Sequence, residues 1–134
     1  MPSSKQWEGP TKFILTLHRE YTLVVRYRCL VDDRFFDYYA PRVLLCAGGK
    51  AVPEEIHVEI SRSEMPLHEL GFHGRPIRPR TEKNFWEYGF DEEKVNSFRY
   101  AVDYEDQRYY LYVPNAVFNG QPHPRRLLVW IHVP

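Results

Sequence analysis

Apolar and polar residues alternate along most of this chain with a period of two. In the clearest stretch Leu23, Val25, Tyr27, Cys29 and Val31 fall on one face, and Thr22, Val24, Arg26, Arg28 and Leu30 fall on the other. That is the spacing of a strand with one buried side. The run from Lys12 to Val31 contains neither glycine nor proline and is longer than a usual strand, so His18, Arg19 and Glu20 are expected to turn a hairpin within it. Further on, Ile56, Val58 and Ile60 alternate with His57, Glu59 and Ser61. Together with the apolar stretch Arg42 to Ala47 and the turn residues Gly48 and Gly49, they predict a second hairpin. Phe98, Tyr100, Val102 and Tyr104 share a face of a third, which turns near Glu105, Asp106 and Gln107 and returns as RYYLYV. RRLLVWIHV supplies a last strand.

Helical signals are few and short. Phe35, Phe36, Tyr38 and Tyr39 recur at spacings of three and four after Asp32 and Asp33, and Pro41 stands as a stop, which predicts one or two helical turns over 32–40. Thr81 and Asp91 each open a stretch resembling the acidic first turn of a helix. The pattern predicts a mainly β fold with an α+β alternative: an antiparallel sandwich or barrel of six to seven strands, with one to three short helices. Residues 1–11 read as a flexible arm whose one packing residue is Trp7, and residues 12–134 as a single β-rich domain.

Composition narrows the picture. Hydrophobic residues make up 43% of the 134 and aromatics 16%, far from the low hydrophobicity of a disordered chain. Lysine plus arginine and aspartate plus glutamate both number 18, so no global charge draws the molecule to a polyanion. Cys29 and Cys46 lie in apolar runs without metal-ligand spacing and read as buried free thiols of a reducing compartment. No leader-like or membrane-spanning apolar run is present in the sequence, which predicts a soluble, cytoplasmic protein with no membrane partner.

Catalytic motifs are absent from the pattern: no GxSxG, no phosphate loop, and no cysteine with a placed histidine. Thr16, His18 and Glu20 share one strand face, and His57, Glu59 and Ser61 another. A metal or small-molecule enzyme site would require His18, His57 and Glu59 to converge. His68 and His73 stand five apart across glycine and read as loop residues, so no metal or cofactor is expected.

Recognition features are stronger. Met65 to Arg80 holds three prolines and two glycines and cannot be regular structure. Its second half, GRPIRPR, would present Arg75, Arg78 and Arg80 on an extended backbone. Trp86 and Tyr88 follow closely, and Tyr38 and Tyr39 form a second aromatic pair. Arginine with tyrosine and tryptophan is the composition of protein interaction hot spots and also of single-stranded nucleic acid platforms. The expectation is therefore a binding module for another protein or for a second copy of itself, acting as an inhibitor, immunity-type partner or assembly subunit. A single-stranded nucleic acid binder on an OB-like barrel is the alternative.

Overall fold

A computed structural model describes residues 7–45, 51–63, 85–104 and 106–132. Eight antiparallel strands close into a barrel: β1 (Thr11–Glu20), β2 (Val24–Val31), β3 (Arg34–Pro41), β4 (Glu55–Arg62), β5 (Phe85–Glu93), β6 (Ser97–Tyr104), β7 (Gln107–Pro114) and β8 (Arg126–His132). Around the barrel they run β1, β2, β3, β7, β6, β5, β8, β4 and back to β1. Closure leaves no unpaired sheet edge. The mainly β antiparallel fold expected from the period-two pattern is observed; of the sandwich and the barrel it is the barrel, with eight strands rather than six to seven, and the described residues add one α-helical turn, α1 (Arg42–Leu45), and one 3-10 turn at Asn115–Phe118.

Several local expectations are overturned. Asp32 and Asp33 do not cap a helix: both adopt left-handed backbone, at φ 47° and 65°. With Val31 paired to Arg34 they form a two-residue hairpin loop, and Phe35 to Tyr39 belong to β3. Short polar side chains tolerate that conformation, and two consecutive positive φ values suit the twist of a tight hairpin. The aromatic spacing was compatible with both periods, and cross-strand pairing decided it. Asp91 to Glu93 similarly end β5 instead of opening a helix. Phe85 begins that strand, while residues 81–84 of the other expected helix lie outside the described residues. His18 to Glu20 do not turn. β1 runs through them and the chain reverses at Tyr21 to Leu23, where the Tyr21 amide donates to the Val24 carbonyl. Arg42 to Leu45 form α1 rather than a strand, and Cys46, Gly48 and Gly49 lie outside the described residues.

The barrel interior is packed with side chains. Leu15, Val25, Tyr27, Phe36, Tyr38, Ile56, Val58, Ile60, Trp86, Tyr88, Tyr100, Leu111, Val113, Leu127 and Val129 are all fully buried. Each large apolar group contributes roughly 1.5–3 kcal/mol on burial. Cys29 also faces inward, and burial raises its thiol to about 11.

One end is closed by aromatic rings. Trp7 packs edge-on against Phe118 at 4.9 Å, Phe98 lies 5.7 Å from Phe118, and His123 stacks on Phe98 at 4.2 Å. The segment carrying Trp7 is tied down by the Arg62 amide donating to the Glu8 carbonyl. Gly9, at φ 72°, passes so close to β4 that a Cβ there would lie 2.8 Å from the Ile60 carbonyl oxygen. The opposite end is approached by the segment before β4, whose Pro53 carbonyl accepts from the Tyr27 hydroxyl at 2.6 Å.

Candidate interaction face

Strand alternation sends one residue of every pair outward, and closure brings outward residues of successive strands into lateral rows. One row crosses seven strands. Glu55 of β4 pairs with Thr16 of β1, Thr16 with Arg28 of β2, and Arg28 with Asp37 of β3. Asp37 then pairs with Tyr112 of β7, Tyr112 with Arg99 of β6, and Arg99 with Glu92 of β5. The row is bonded as well as aligned. Arg28 Nε and Nη2 donate to the two Asp37 carboxylate oxygens at 2.7 and 3.2 Å. Arg99 Nε donates to Asp91 at 2.6 Å and its Nη2 to Glu92 at 3.0 Å.

Tyrosines fill the spaces between these ions. Tyr39 meets Tyr112 at 5.9 Å, Tyr110 meets Tyr112 at 6.5 Å, and Tyr21 meets Tyr39 at 6.3 Å. The Arg99 guanidinium sits 4.7 Å from the Tyr110 ring centroid, and Arg26 lies 5.7 Å from that of Tyr39. Arg26 Nη1 also donates to the Tyr39 hydroxyl at 3.1 Å. Such contacts hold long side chains in one geometry, which lowers the entropy lost when a ligand docks.

Two β-bulges flank the row, and each delivers a side chain to one of its arginines. In β1 the pairing slips between Leu17 and Arg19, so His18 is the extra residue. In β5 it slips between Phe90 and Glu92, so Asp91 is extra. A bulged residue is released from the ladder and its side chain is re-aimed. Asp91 reaches Arg99, and His18 settles between Arg26 and Arg28. Below the row the wall turns apolar, with Leu30 64% exposed and paired to Phe35 at 48%. The Arg28 guanidinium covers the Phe35 ring at 4.0 Å.

The residues expected from sequence to form a binding surface are placed differently. Arg75, Arg78 and Arg80 lie outside the described residues, as do His68 and His73. Trp86, Tyr88 and Tyr38 are fully buried inside the barrel, so they do not belong to an outer surface. Their strand positions have inward parity, and large aromatics fill the interior of a small barrel. Tyr38 and Tyr88 hydroxyls pair at 3.2 Å, while Trp86 packs on Tyr104 and Tyr109 at 4.8 and 5.4 Å. Burial raises the pKa of both Tyr38 and Tyr88, with the neighbouring hydroxyl adding to the effect on Tyr88. Of the four that are described, Tyr39 alone faces outward, where its ring meets Tyr112 of the row.

His18, His57 and Glu59 do not converge. β1 and β4 do pair, but His57 stands opposite Ile14 and Glu59 opposite Lys12. His18 is four residues farther along, about 13 Å at the rise of a strand. His57 pairs instead with Glu55 at 3.2 Å. Among the described residues no cluster of three or more His, Cys, Asp or Glu could hold a metal ion, and no helix is long and apolar enough to cross a membrane.

Nothing in the sequence marks Arg26, Arg28, Arg99, Tyr110 and Tyr112 together as contact residues. Their outward parity was readable from alternation, but their alignment depends on strand register, which single strands do not encode. No protein-family model, no curated protein and no solved structure matches the chain.

Proposed function

We propose that this barrel is a binding module that engages another protein through the outer wall of β2, β3, β7 and β6, centred on Tyr39, Tyr110 and Tyr112 with Arg26, Arg28 and Arg99. The observation that supports this reading is the ordered lateral row of arginine, tyrosine and carboxylate, whose composition is that of an interface hot spot. A packed interior of tyrosine, tryptophan and phenylalanine favours the outer wall over the lumen as the working surface. Single-stranded nucleic acid is the weaker reading, because Asp37, Asp91 and Asp103 each hold an arginine of the same wall. Those carboxylates would repel a polyphosphate backbone.

The test places a photoactivatable benzoylphenylalanine at Tyr110 and, separately, at Glu59 on the opposite wall. Irradiation in the native host should give a discrete protein adduct from position 110 and none from position 59. Adducts of equal yield from both walls, or an adduct with nucleic acid alone, would overturn the proposal. An adduct with a second copy of the chain would identify self-association as the form the binding takes.

A further inference from the structure

The bulge in β1 gathers His18, Arg19, Arg26 and Arg28 on one small area of the wall. Arg19 pairs directly with Arg26, a juxtaposition of like charges. Arg28 is neutralised by Asp37, but neither Arg19 nor Arg26 meets a carboxylate among the described residues. Arg19 rests over the Tyr21 ring at 5.3 Å, and the Arg26 guanidinium bonds to Tyr39 and His18. Like charges facing each other across a strand pair are destabilising. A folded chain that places them there with no ion-pair partner among the described residues keeps local positive charge in reserve.

The hydrogen-bonding count points the same way. Arg26 approaches His18 Nδ1 through Nε at 3.1 Å and Nη2 at 2.8 Å, and Arg28 Nη1 approaches Nε2 at 3.2 Å. A neutral imidazole has one acceptor nitrogen and one N–H. With Nδ1 accepting from Arg26, the N–H on Nε2 faces another donor. The cluster therefore holds more donors than acceptors. Shielding of the ring by its neighbours, followed by the charges of Arg28 and Arg26, lowers the His18 pKa.

We infer that this cluster is a site for one dianionic phosphoryl group carried on a side chain of the protein partner, held by Arg26, Arg28 Nη1 and His18 with Arg19 beside them. The inference rests on the reading of this wall as a protein-binding face. A tetrahedral oxyanion accepts several hydrogen bonds at once, matching the donor excess, and Arg forks suit its geometry. Tyr21 and Tyr39 flank the cations and can stack on an aromatic carrier. One phosphoryl group fits better than a chain of them, because carboxylates border the site: Asp37 on β3, Glu20 on β1, Glu55 at the start of β4 and Glu54 just before it, where the Glu54 carbonyl accepts from the Leu17 amide. Binding would set a counter-charge against the two cations beside His18 and raise its affinity for a proton.

The experiment follows the His18 imidazole signals by NMR, assigned with His18→Gln, during titration with inorganic phosphate and with phenyl phosphate at constant ionic strength. Both should move His18 saturably and raise its apparent pKa, with phenyl phosphate the tighter. Arg26→Gln should weaken the response about tenfold or more, the loss of a charge-assisted bond pair. A signal unmoved up to about 50 mM phosphate, well above a millimolar affinity, would overturn the inference, as would an equal response to chloride. Oligothymidylate binding more tightly than phenyl phosphate, with a steep salt dependence, would overturn the choice of a protein-borne group. The two readings separate cleanly. An adduct from position 110 with no phosphate response refutes the phosphoryl site alone, whereas a phosphate response without the adduct refutes the protein-binding face.

Discussion

Tyrosines occupy two regions of this barrel and do opposite work in them. Inside, Tyr27, Tyr38, Tyr88 and Tyr100 are fully buried, and their hydroxyls end on partners within the fold: Pro53, each other, and Pro124. Outside, Tyr39, Tyr110 and Tyr112 are half-buried among arginines, with ring faces committed to cations and neighbouring rings. The difference teaches that residue type alone does not mark an interface. Parity along the strand decides whether a tyrosine supplies cohesion or contact.

The largest effect that would test this contrast is on stability. Tyr38→Ala or Trp86→Ala should cost about 3–5 kcal/mol in urea unfolding, because each empties a large volume from a close-packed lumen. Tyr112→Ala should cost about 1 kcal/mol or less, and a loss as large as Tyr38→Ala would erase the distinction between lumen and wall. Binding should show the reverse order. Tyr112→Ala combined with Tyr39→Ala is expected to weaken the partner captured from position 110 by about thirtyfold or more, roughly 2 kcal/mol. Unchanged capture would move the interface elsewhere.

A finer cut removes one atom. Tyr38→Phe deletes the hydroxyl paired with Tyr88 while keeping the ring, and should destabilise by about 1 kcal/mol. Titration offers a related measure. Burial raises Tyr38, Tyr88 and Tyr100 above the ordinary tyrosine value. Their neutral hydroxyls therefore contribute fully below the unfolded value near about 10, and that contribution is lost as pH climbs above it. Absorbance at the phenolate band should show a fraction of the tyrosines ionising only together with unfolding. A single smooth titration of all ten near the ordinary value, with the fold intact, would contradict their placement. Smallest of all, Asp37→Asn should cost about 1 kcal/mol or less, since Arg28 keeps its stack on Phe35 and the pair is partly solvated.

The bulges give a second comparison, between two ends of one wall. Asp91 brings a carboxylate to Arg99, whereas His18 brings an imidazole to Arg28, which already holds Asp37, and to Arg26, which bonds no carboxylate among the described residues. One bulge completes an ion pair, and the other leaves a surplus of donors. Neither was legible beforehand. His18 read as a turn residue and Asp91 as the start of a helix, because a bulge leaves no periodic trace beyond a one-residue slip.

Much of the strand content was readable for a plain physical reason. A sheet with one buried side must alternate, and the inward sets Val25, Tyr27 and Cys29, Ile56, Val58 and Ile60, and Phe98, Tyr100 and Val102 all do. Where two periods overlapped, as in Phe35 to Tyr39, local pattern could not choose. The long-range pairing of β3 with β2 and β7 did. The candidate face was hidden in the same way. Alternation placed Arg26 and Arg28 on the polar side of β2, but a row crossing seven strands exists only once each register is set.

What the amino-acid order determined by itself, then, is the mainly β character, the inward and outward sets of most strands, and a balanced charge with abundant aromatics. Tertiary structure alone decided that the sheet closes, that Tyr38, Trp86 and Tyr88 face the lumen, and that arginines from two strands line up with tyrosines from two others. The reason is the range of the forces involved. Alternation is a property of neighbours along the chain, whereas register and closure are properties of pairings between residues far apart in sequence.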